Sequence, residues 1–232
     1  MTYKFGKTIV IALGGSIVHP DAINVKFLKN FRKFVLKWVR RGKKFMIVTG
    51  GGSVARDYQK AANAVISLSD EDKDWIGIHA TRLNAHLLRT IFWKEADPVI
   101  IDSHSKSKSK RMVFPVTIAS GWRPGWSTDY VALQIASCFG ARETIIAGSP
   151  AYVYTKDPKK DKSAWPIKQL HWKEYRKLIP AKWKPGAHSP VDPVGAKLAG
   201  SRKLAAIIIK GTDLKNFDNL LAGKDFKGTL IK

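Results

Sequence analysis

The sequence KFMIVTGGGSVAR, residues 44 to 56, decides the fold. Residues 44 to 49 form a mostly apolar run, which is typical of a strand buried on both faces of a parallel sheet. Three consecutive glycines follow, and they lose considerable conformational entropy on folding. A contact between their backbone N–H groups and an anion is a good reason to keep them, although a structural turn is the alternative. Arg56, one helical turn later, could hold a phosphate through two hydrogen bonds.

A second glycine loop lies upstream. Residues 8 to 13, TIVIAL, form a continuous apolar run that ends at Gly14, Gly15 and Ser16. Glycine lets backbone N–H groups approach phosphate oxygens closely, and Ser16 adds a hydroxyl donor. A plain tight turn would look similar, and neither the Walker pattern nor the dinucleotide-binding pattern is present.

Strand-like and helix-like segments alternate along the rest of the chain. Helices are predicted at residues 24 to 41, 53 to 64, 70 to 94 and 129 to 139. Further strands are predicted at 98 to 102, 114 to 119, 143 to 147 and 204 to 210. Residues 103 to 111 alternate Ser, His and Lys, which favours an exposed, mobile loop. The alternation predicts an α/β fold with a mostly parallel sheet, covered on both faces, whose ligands bind at the carboxyl edge.

The segment GWRPGWSTD, residues 121 to 129, has an unusual composition. It combines two tryptophans, an arginine, two hydroxyls and a carboxylate. Its last three residues open a predicted helix, where they could serve as a helix cap or as phosphate donors, and both interpretations can hold. Further along, Tyr154 could offer a flat surface to a base, and Asp157 with Pro158 favours a turn.

The net charge of +23, from 41 Lys and Arg against 18 Asp and Glu, attracts anions of any kind. The charge indicates either a generally basic solvated surface or a dedicated nucleic-acid face. No zinc-finger spacing or RNA-recognition signature supports the second interpretation, so no sequence-specific nucleic acid is expected as a partner.

Length and composition favour a folded protein. The 232 residues, 44% of them hydrophobic, suit one domain or two tightly joined lobes, at about 1 to 140 and 141 to 232. No apolar run reaches the roughly 18 residues that span a bilayer, so no membrane is expected as a partner. The start lacks a signal-peptide pattern, and the single cysteine, Cys138, excludes an intramolecular disulfide and is expected to pack in the core. A cytosolic (cytoplasmic) location is therefore expected.

Six stretches, taken in order, resemble the amino-acid-kinase superfamily, and most closely its UMP kinases of the archaeal-like type. They are LGGS (13 to 16), TGGGSVARDY (49 to 58), DWIGIHATRLNAHLL (74 to 88), GWRPGWSTDYVA (121 to 132), VYTKDPKKD (153 to 161) and SPVDPVGAKLA (189 to 199). The resemblance implies transfer of the ATP γ-phosphoryl group to UMP with Mg²⁺. It also implies a single-domain, three-layer α/β/α sandwich and a homo-oligomer, commonly a hexamer.

The resemblance also implies roles for individual residues. The ATP-binding residues would be Gly14, Gly15, Ser16, Gly52, Arg56, Tyr154 and Asp157. The UMP-binding residues would be Gly51, Asp74, Trp122, Arg123, Pro124, Gly125, Trp126, Ser127 and Thr128. Arg56 and Arg123 are the cationic catalytic candidates, and Asp129 would order the site through the helix end rather than act as a base. No protein ligand for a metal is assigned.

Two positions depart from the family pattern. Many relatives carry a lysine in the first strand where this chain has Ala12, and an aspartate where it has Ala151. These replacements keep open a nucleotide-binding protein with weak or no kinase activity. The same fold with another acceptor, such as a carbamate, an amino acid or an isoprenyl phosphate, is a further alternative. The last alternative is a nucleic-acid-binding role that depends on the positive net charge.

Overall fold

The computed structural model describes residues 1–109, 111–182 and 189–232. The strands are β1 (Thr8–Leu13), β2 (Lys44–Thr49), β3 (Val116–Ala119), β4 (Glu143–Gly148), β5 (Val153–Tyr154), β6 (Pro166–Ile167), β7 (Gln169–Leu170), β8 (Ala205–Lys210) and β9 (Thr229–Ile231). The helices are α1 (Gly15–Val18), α2 (Val25–Val39), α3 (Gly52–Val65), α4 (Asp70–Ile91), α5 (His104–Ser109), α6 (Thr128–Cys138), α7 (Trp172–Tyr175), α8 (Pro193–Arg202) and α9 (Leu214–Leu221).

A seven-stranded sheet forms the centre, with strand order β3-β2-β1-β4-β8-β9-β7. The first five of these strands are parallel to one another. β9 runs antiparallel to β8 and pairs in parallel with the short edge strand β7. β5 and β6 form a separate two-stranded hairpin. The parallel strands therefore end at one common edge, where the glycine-containing segments follow them.

Alternate residues of the central strands face two separate hydrophobic cores. Ile9 and Ile11 of β1 pack on the side covered by α2, α4 and α9. Val10 and Ala12 of the same strand pack on the side covered by α6, α7 and α8. Both faces are apolar because both are covered, as expected for parallel strands. The three-layer α/β/α architecture predicted from the sequence is confirmed.

The predicted strand at 98 to 102 is wrong. The chain there touches β3 only through isolated bridges, from Ala96 to Val116 and from Ile101 to Ala119. Between the bridges, Pro98 has no N–H to donate, and the Asp97 carboxylate accepts the N–H of Val99 at 2.9 Å. A local turn therefore replaces the continuous ladder.

The predicted loop at 103 to 111 contains a helix, α5, and its position 110 lies outside the described residues. An i,i+4 ion pair of 2.7 Å joins Lys106 to Asp102 across its first turn. Ser107 on this helix is buried. Tertiary packing thus orders a segment whose composition is typical of a loop.

Cys138 ends α6 and is exposed, so the expectation that it packs in the core is wrong. Across the part of the chain that the structure describes, no helix combines the length and the apolarity needed to cross a bilayer.

Candidate functional site

The two glycine loops meet at the carboxyl edge of the sheet. We call Gly14 to Ser16 together with Gly50 to Gly52 the glycine junction. A Cβ atom at Gly50 would lie 2.5 Å from the backbone nitrogen of Gly15, and one at Gly15 would overlap the nitrogen of Gly52. The two backbones are therefore in direct contact, and this closeness requires glycine on both sides.

The glycine junction presents backbone N–H groups at the start of α3. Gly52 adopts a φ of +70°, in the left-handed region that favours glycine. The Ser53 N–H donates to the carbonyl of His19 at 2.9 Å. The N–H groups of Gly51 and Gly52 donate to no acceptor among the described residues. A helix start with unpaired N–H groups attracts anions, so this end of α3 suits a phosphate group.

Helix α4 supports the glycine junction from one side. A Cβ atom at Gly51 would lie 3.2 Å from that of Ala80 and 3.4 Å from the carbonyl oxygen of Gly77. The buried amide of Asn84 donates to the carbonyls of Gly50 and Gly51, at 2.8 and 3.1 Å. These contacts hold the loop on α4.

The same helix holds a second loop, residues 121 to 128, which we call the acceptor loop because the resemblance implies that it binds UMP, the phosphoryl acceptor. The Asp74 carboxylate accepts the N–H of Gly125 at 2.7 Å, where Gly125 has a φ of +78°. The Thr81 hydroxyl accepts the N–H of Gly121 at 2.8 Å. The contacting residues of α4, from Asp74 to Asn84, are three or four apart and share one helix face. One helix therefore sets the separation of the two loops.

Aromatic rings form the body of the acceptor loop. Trp122 is buried, and its indole N–H donates to the carbonyl of Ile101 at 3.2 Å. Trp126 packs 4.6 Å from the ring of Tyr130, and the Arg123 guanidinium lies 4.8 Å over the Trp126 ring. His104 of α5 lies 5.8 Å from Trp122. The loop is packed through aromatic rings and carries one exposed cation, Arg123.

The acceptor loop ends where two helix starts meet. Ser127 caps α6 by accepting the N–H of Tyr130, and its hydroxyl donates to the Asp192 carboxylate in a short hydrogen bond. Asp192 in turn caps α8, accepting the N–H groups of Val194 and Gly195. The side-chain hydroxyl of Ser127 thus ties α6 to α8 beside the predicted site.

Asp129, in the first turn of α6, lies in this polar cluster. Desolvation by burial, and then the charge of the neighbouring Asp192, raise its pKa to about 8. The hydroxyl of Tyr175 is hydrogen-bonded to the backbone of Val191, next to Asp192, and burial raises its pKa. A carboxyl with so high a pKa carries a proton at neutral pH, so it is not a permanent negative charge there; its ordering role stays a prediction.

The remaining predicted ATP residues lie at the third loop of this edge. The Ser16 and Ser149 hydroxyls lie 3.2 Å apart, which joins the first glycine loop to the segment after β4. Tyr154 belongs to the small hairpin, opposite Pro166. Asp157 is exposed and accepts the N–H of Lys159 at 3.0 Å, as a turn residue does.

The two cationic candidates have different contacts. Arg56 is exposed and donates to the carbonyl of Pro20 at 3.3 Å. Arg123 is also exposed and stacks on Trp126. The structure therefore leaves their catalytic roles as predictions.

The two departures from the family pattern differ in environment. Ala12 is 3% exposed and packs in the core beneath α6. Ala151 is partly buried in the bend before β5. Ala12 is thus an ordinary core residue, well packed without a polar group.

Several contacting residues were not singled out from the sequence. Asn84, Thr81 and Asp192 hold the loops through contacts that span 33 to 65 residues. The sequence did carry a signal for Asp192, because an Asp-Pro pair is typical of an N-cap residue followed by the first residue of a helix. For Asn84 and Thr81 the helical spacing from Asp74 was the available signal.

Comparison with known proteins gives consistent matches. The model of the amino acid kinase family matches residues 7–210. A uridylate kinase of Methanosarcina mazei is 35% identical over 214 residues, which cover 92% of this chain and 89% of the relative. A uridylate kinase of Thermococcus sibiricus is 30% identical over 225 residues, covering 97% and 99%. The crystal structure of uridylate kinase from Archaeoglobus fulgidus matches with a TM-score of 0.82 and 29% identity. The match covers 98% of this chain and 100% of that chain.

Proposed function

The chain belongs to the amino acid kinase family, and from this premise we propose that it transfers the γ-phosphoryl group of ATP to UMP, giving UDP and ADP. One structural observation supports this proposal most directly. Helix α4 contacts the glycine junction through Gly77 and Asn84 and the acceptor loop through Asp74. Two loops held on one helix suit two bound anions at a defined separation.

Phosphoryl transfer needs positioning and charge neutralisation more than covalent chemistry. An oxygen of the UMP phosphate attacks the γ-phosphorus of ATP, and the bond to the bridging oxygen breaks to leave ADP. The unpaired N–H groups of Gly51 and Gly52 lie where they can stabilise the transferred charge. Arg56 and Arg123 stay the proposed cationic groups, with Asp129 as an ordering residue.

We propose that Mg²⁺ enters this site with ATP rather than in a cage of protein ligands. Within the described ranges, no three His, Cys, Asp or Glu side chains are close enough to hold a metal ion. The glycine junction offers N–H donors, which suit phosphate oxygens and not a bare cation. Mg²⁺ usually keeps several waters and binds substrate phosphates, and there it would neutralise charge between the nucleotides.

We also propose a homo-oligomer, which the resemblance implies. The outer faces of α3 and α4 expose apolar side chains, including Val65 at 88% and Leu83 at 63%. Apolar side chains this exposed gain free energy when they are buried against a protein partner, and a second copy is the partner that we propose. Light scattering with Val65→Glu and Leu83→Glu tests this: a smaller particle is expected, and an unchanged mass would contradict the interface. The hexamer and the cytosolic location stay predictions.

The proposed reaction is tested with the purified chain, ATP, Mg²⁺ and a panel of acceptors. We expect UDP from UMP, separated by chromatography and matched by ADP release. CMP, AMP, GMP and carbamate serve as competing acceptors, each at the same concentration as UMP. No ADP release with any acceptor would contradict a kinase, and faster turnover of another acceptor would contradict UMP as the substrate.

A further inference from the structure

A large cavity opens at the edge of the sheet opposite the glycine junction. Its volume is about 1010 Å³, and Arg142 and Ala205, at the amino ends of β4 and β8, contribute to its lining. The glycine junction follows the carboxyl ends of the parallel strands, so the sheet separates the two regions. The proposed kinase reaction does not use this cavity.

The cavity is cationic on several sides. Its charged lining residues come from the start of β4, from α7, from the end of α8 and from the chain after β9; they are Arg142, Lys173, Arg176, Lys197, Lys203 and Lys232. None of them takes part in an ion pair between described residues. No Asp or Glu is among its described lining residues.

Two acidic residues lie nearby but are engaged elsewhere. Glu143 accepts the hydroxyl of Tyr3 at 3.1 Å, and Glu174 accepts the N–H of His171 at 2.8 Å. The lining cations are exposed, and among them Arg142 interacts electrostatically with the neighbouring Glu143, without forming an ion pair between described residues. Like charges gathered in one depression produce a positive potential that attracts polyanions.

A second cavity, of about 360 Å³, extends the first. The two share Lys173, Arg176 and Lys197, and the second adds Lys177. We call the joined cavities the basic groove. Its charges continue along α7, so an extended anion can contact more of them than a compact one.

The chemistry of the basic groove differs from that of a compact phosphate site. Most of its cations are lysines, which act as point charges on flexible stems and lack the fixed fork of arginine. No glycine loop is among its described lining residues, and Trp172 in its floor is 5% exposed, with its indole N–H bonded to the carbonyl of Leu204. Its other described lining rings, Tyr3 and His171, are hydrogen-bonded to Glu143 and to the carbonyl of Lys232.

We propose that the basic groove binds the phosphodiester backbone of single-stranded nucleic acid without reading its bases. Spaced lysines that each neutralise one phosphate are the usual basis of such binding. The proposal accounts for part of the +23 charge, which the nucleotide sites leave unexplained. It keeps the expectation that no specific base sequence is recognised.

The test measures binding of a fluorescent 20-nucleotide uridine RNA by anisotropy over a series of salt concentrations. The groove variant carries Arg142→Gln, Lys173→Gln, Arg176→Gln and Lys203→Gln. The control variant carries Lys26→Gln, Lys29→Gln, Lys33→Gln and Lys60→Gln, exposed lysines of α2 and α3, so both variants lose the same charge. Circular dichroism and thermal unfolding establish that both are folded.

We expect the groove variant to bind at least about tenfold more weakly at 0.1 M salt. Its slope of log K against log salt should be shallower by about 2 to 3, since each lost phosphate contact removes about 0.7. The control variant should keep the parent slope. Equal losses in both variants would show a diffuse charge effect and overturn the proposal.

Competition distinguishes the nature of the anion. Unlabelled RNA of mixed sequence should compete as well as the uridine RNA, and polyglutamate of equal charge should compete poorly. Stronger competition by polyglutamate, or by inorganic polyphosphate of equal charge, would overturn a nucleic-acid site. None of these measurements uses kinase activity, so their failure and failure of the proposed reaction are distinguishable.

Discussion

The glycine junction and the acceptor loop rest on the same helix, but they are built differently. The junction is a contact of backbone with backbone, in which Gly15, Gly50 and Gly52 leave no room for a Cβ atom. The acceptor loop is held by separate side-chain hydrogen bonds, from Asp74 and Thr81, around a group of aromatic rings. The first should fail as a whole, whereas the second should lose function contact by contact.

The largest expected effect tests the backbone contact. In Gly15→Ala the new Cβ overlaps the backbone of Gly52, so one strand end has to move. We expect a loss of about 3 kcal/mol or more in the free energy of unfolding, at the upper end for overpacking. Urea unfolding measures it. Gly6→Ala, with nothing within 4 Å of its Cβ, is the control, and equal stability of the two variants would refute the backbone contact.

The next effect tests the support of the glycine junction. Asn84→Ala removes the amide that donates to the carbonyls of Gly50 and Gly51. Two carbonyls lose a buried partner, which should cost about 2 to 3 kcal/mol of unfolding free energy. Asn63→Ala on the exposed surface of α3 should cost less than about 0.5 kcal/mol. If both variants unfold alike, Asn84 does not hold the loop.

A smaller effect, mainly on function, is expected in the acceptor loop. Asp74→Asn keeps the size of the side chain but weakens its charge-assisted hydrogen bond to Gly125. We expect the KM for UMP to rise about tenfold, with a loss of stability below about 1 kcal/mol. Steady-state kinetics and urea unfolding measure the two quantities. Glu71→Gln, an exposed position one turn earlier, is the control and should change neither the KM nor the stability. A large loss of stability in Asp74→Asn would contradict the difference drawn here between the acceptor loop and the glycine junction.

The last effect depends on pH, and it is smallest at acid pH. The pKa of Asp129 is raised to about 8, whereas an unfolded carboxyl titrates near about 4. The folded chain binds this proton more tightly, so the carboxyl reduces stability as the pH rises from about 4 through 8. Asp129→Asn should therefore become more stable than the parent chain as the pH rises from about 5 to about 8, by up to about 1.4 kcal/mol of unfolding free energy for each pH unit. Unfolding series at each pH test this, with the exposed Asp21→Asn as control, and parallel curves would contradict the raised pKa.

The sequence predicted the elements whose signals are local. β1 and β2 are continuous apolar runs that end in glycines, and both were predicted with the observed bounds. α4 was predicted at 70 to 94 and ends at Ile91. These segments carry their own hydrophobic period, so long-range contacts were not needed to identify them.

Other parts depend on contacts between distant residues. The short strands β7 and β9 have two and three residues, too few for a periodic signal. α5 is stabilised by an ion pair and by the burial of Ser107, neither of which its composition indicates. The site residues named from the resemblance were placed at one edge of the sheet, but the helix face that organises them, from Asp74 to Asn84, emerged only from the structure.

The direct contact of Gly15 with Gly50 and Gly52 also limits how this protein can change in evolution or in the laboratory. A side chain added on one loop meets main-chain atoms of the other, and no second substitution can shorten a backbone. A second substitution therefore cannot compensate for the first at these positions. We expect a library of variants built there to yield inactive clones. Diversification for new acceptors belongs in the acceptor loop and in Asp74 and Thr81, the separate side chains that hold it and can be exchanged one at a time.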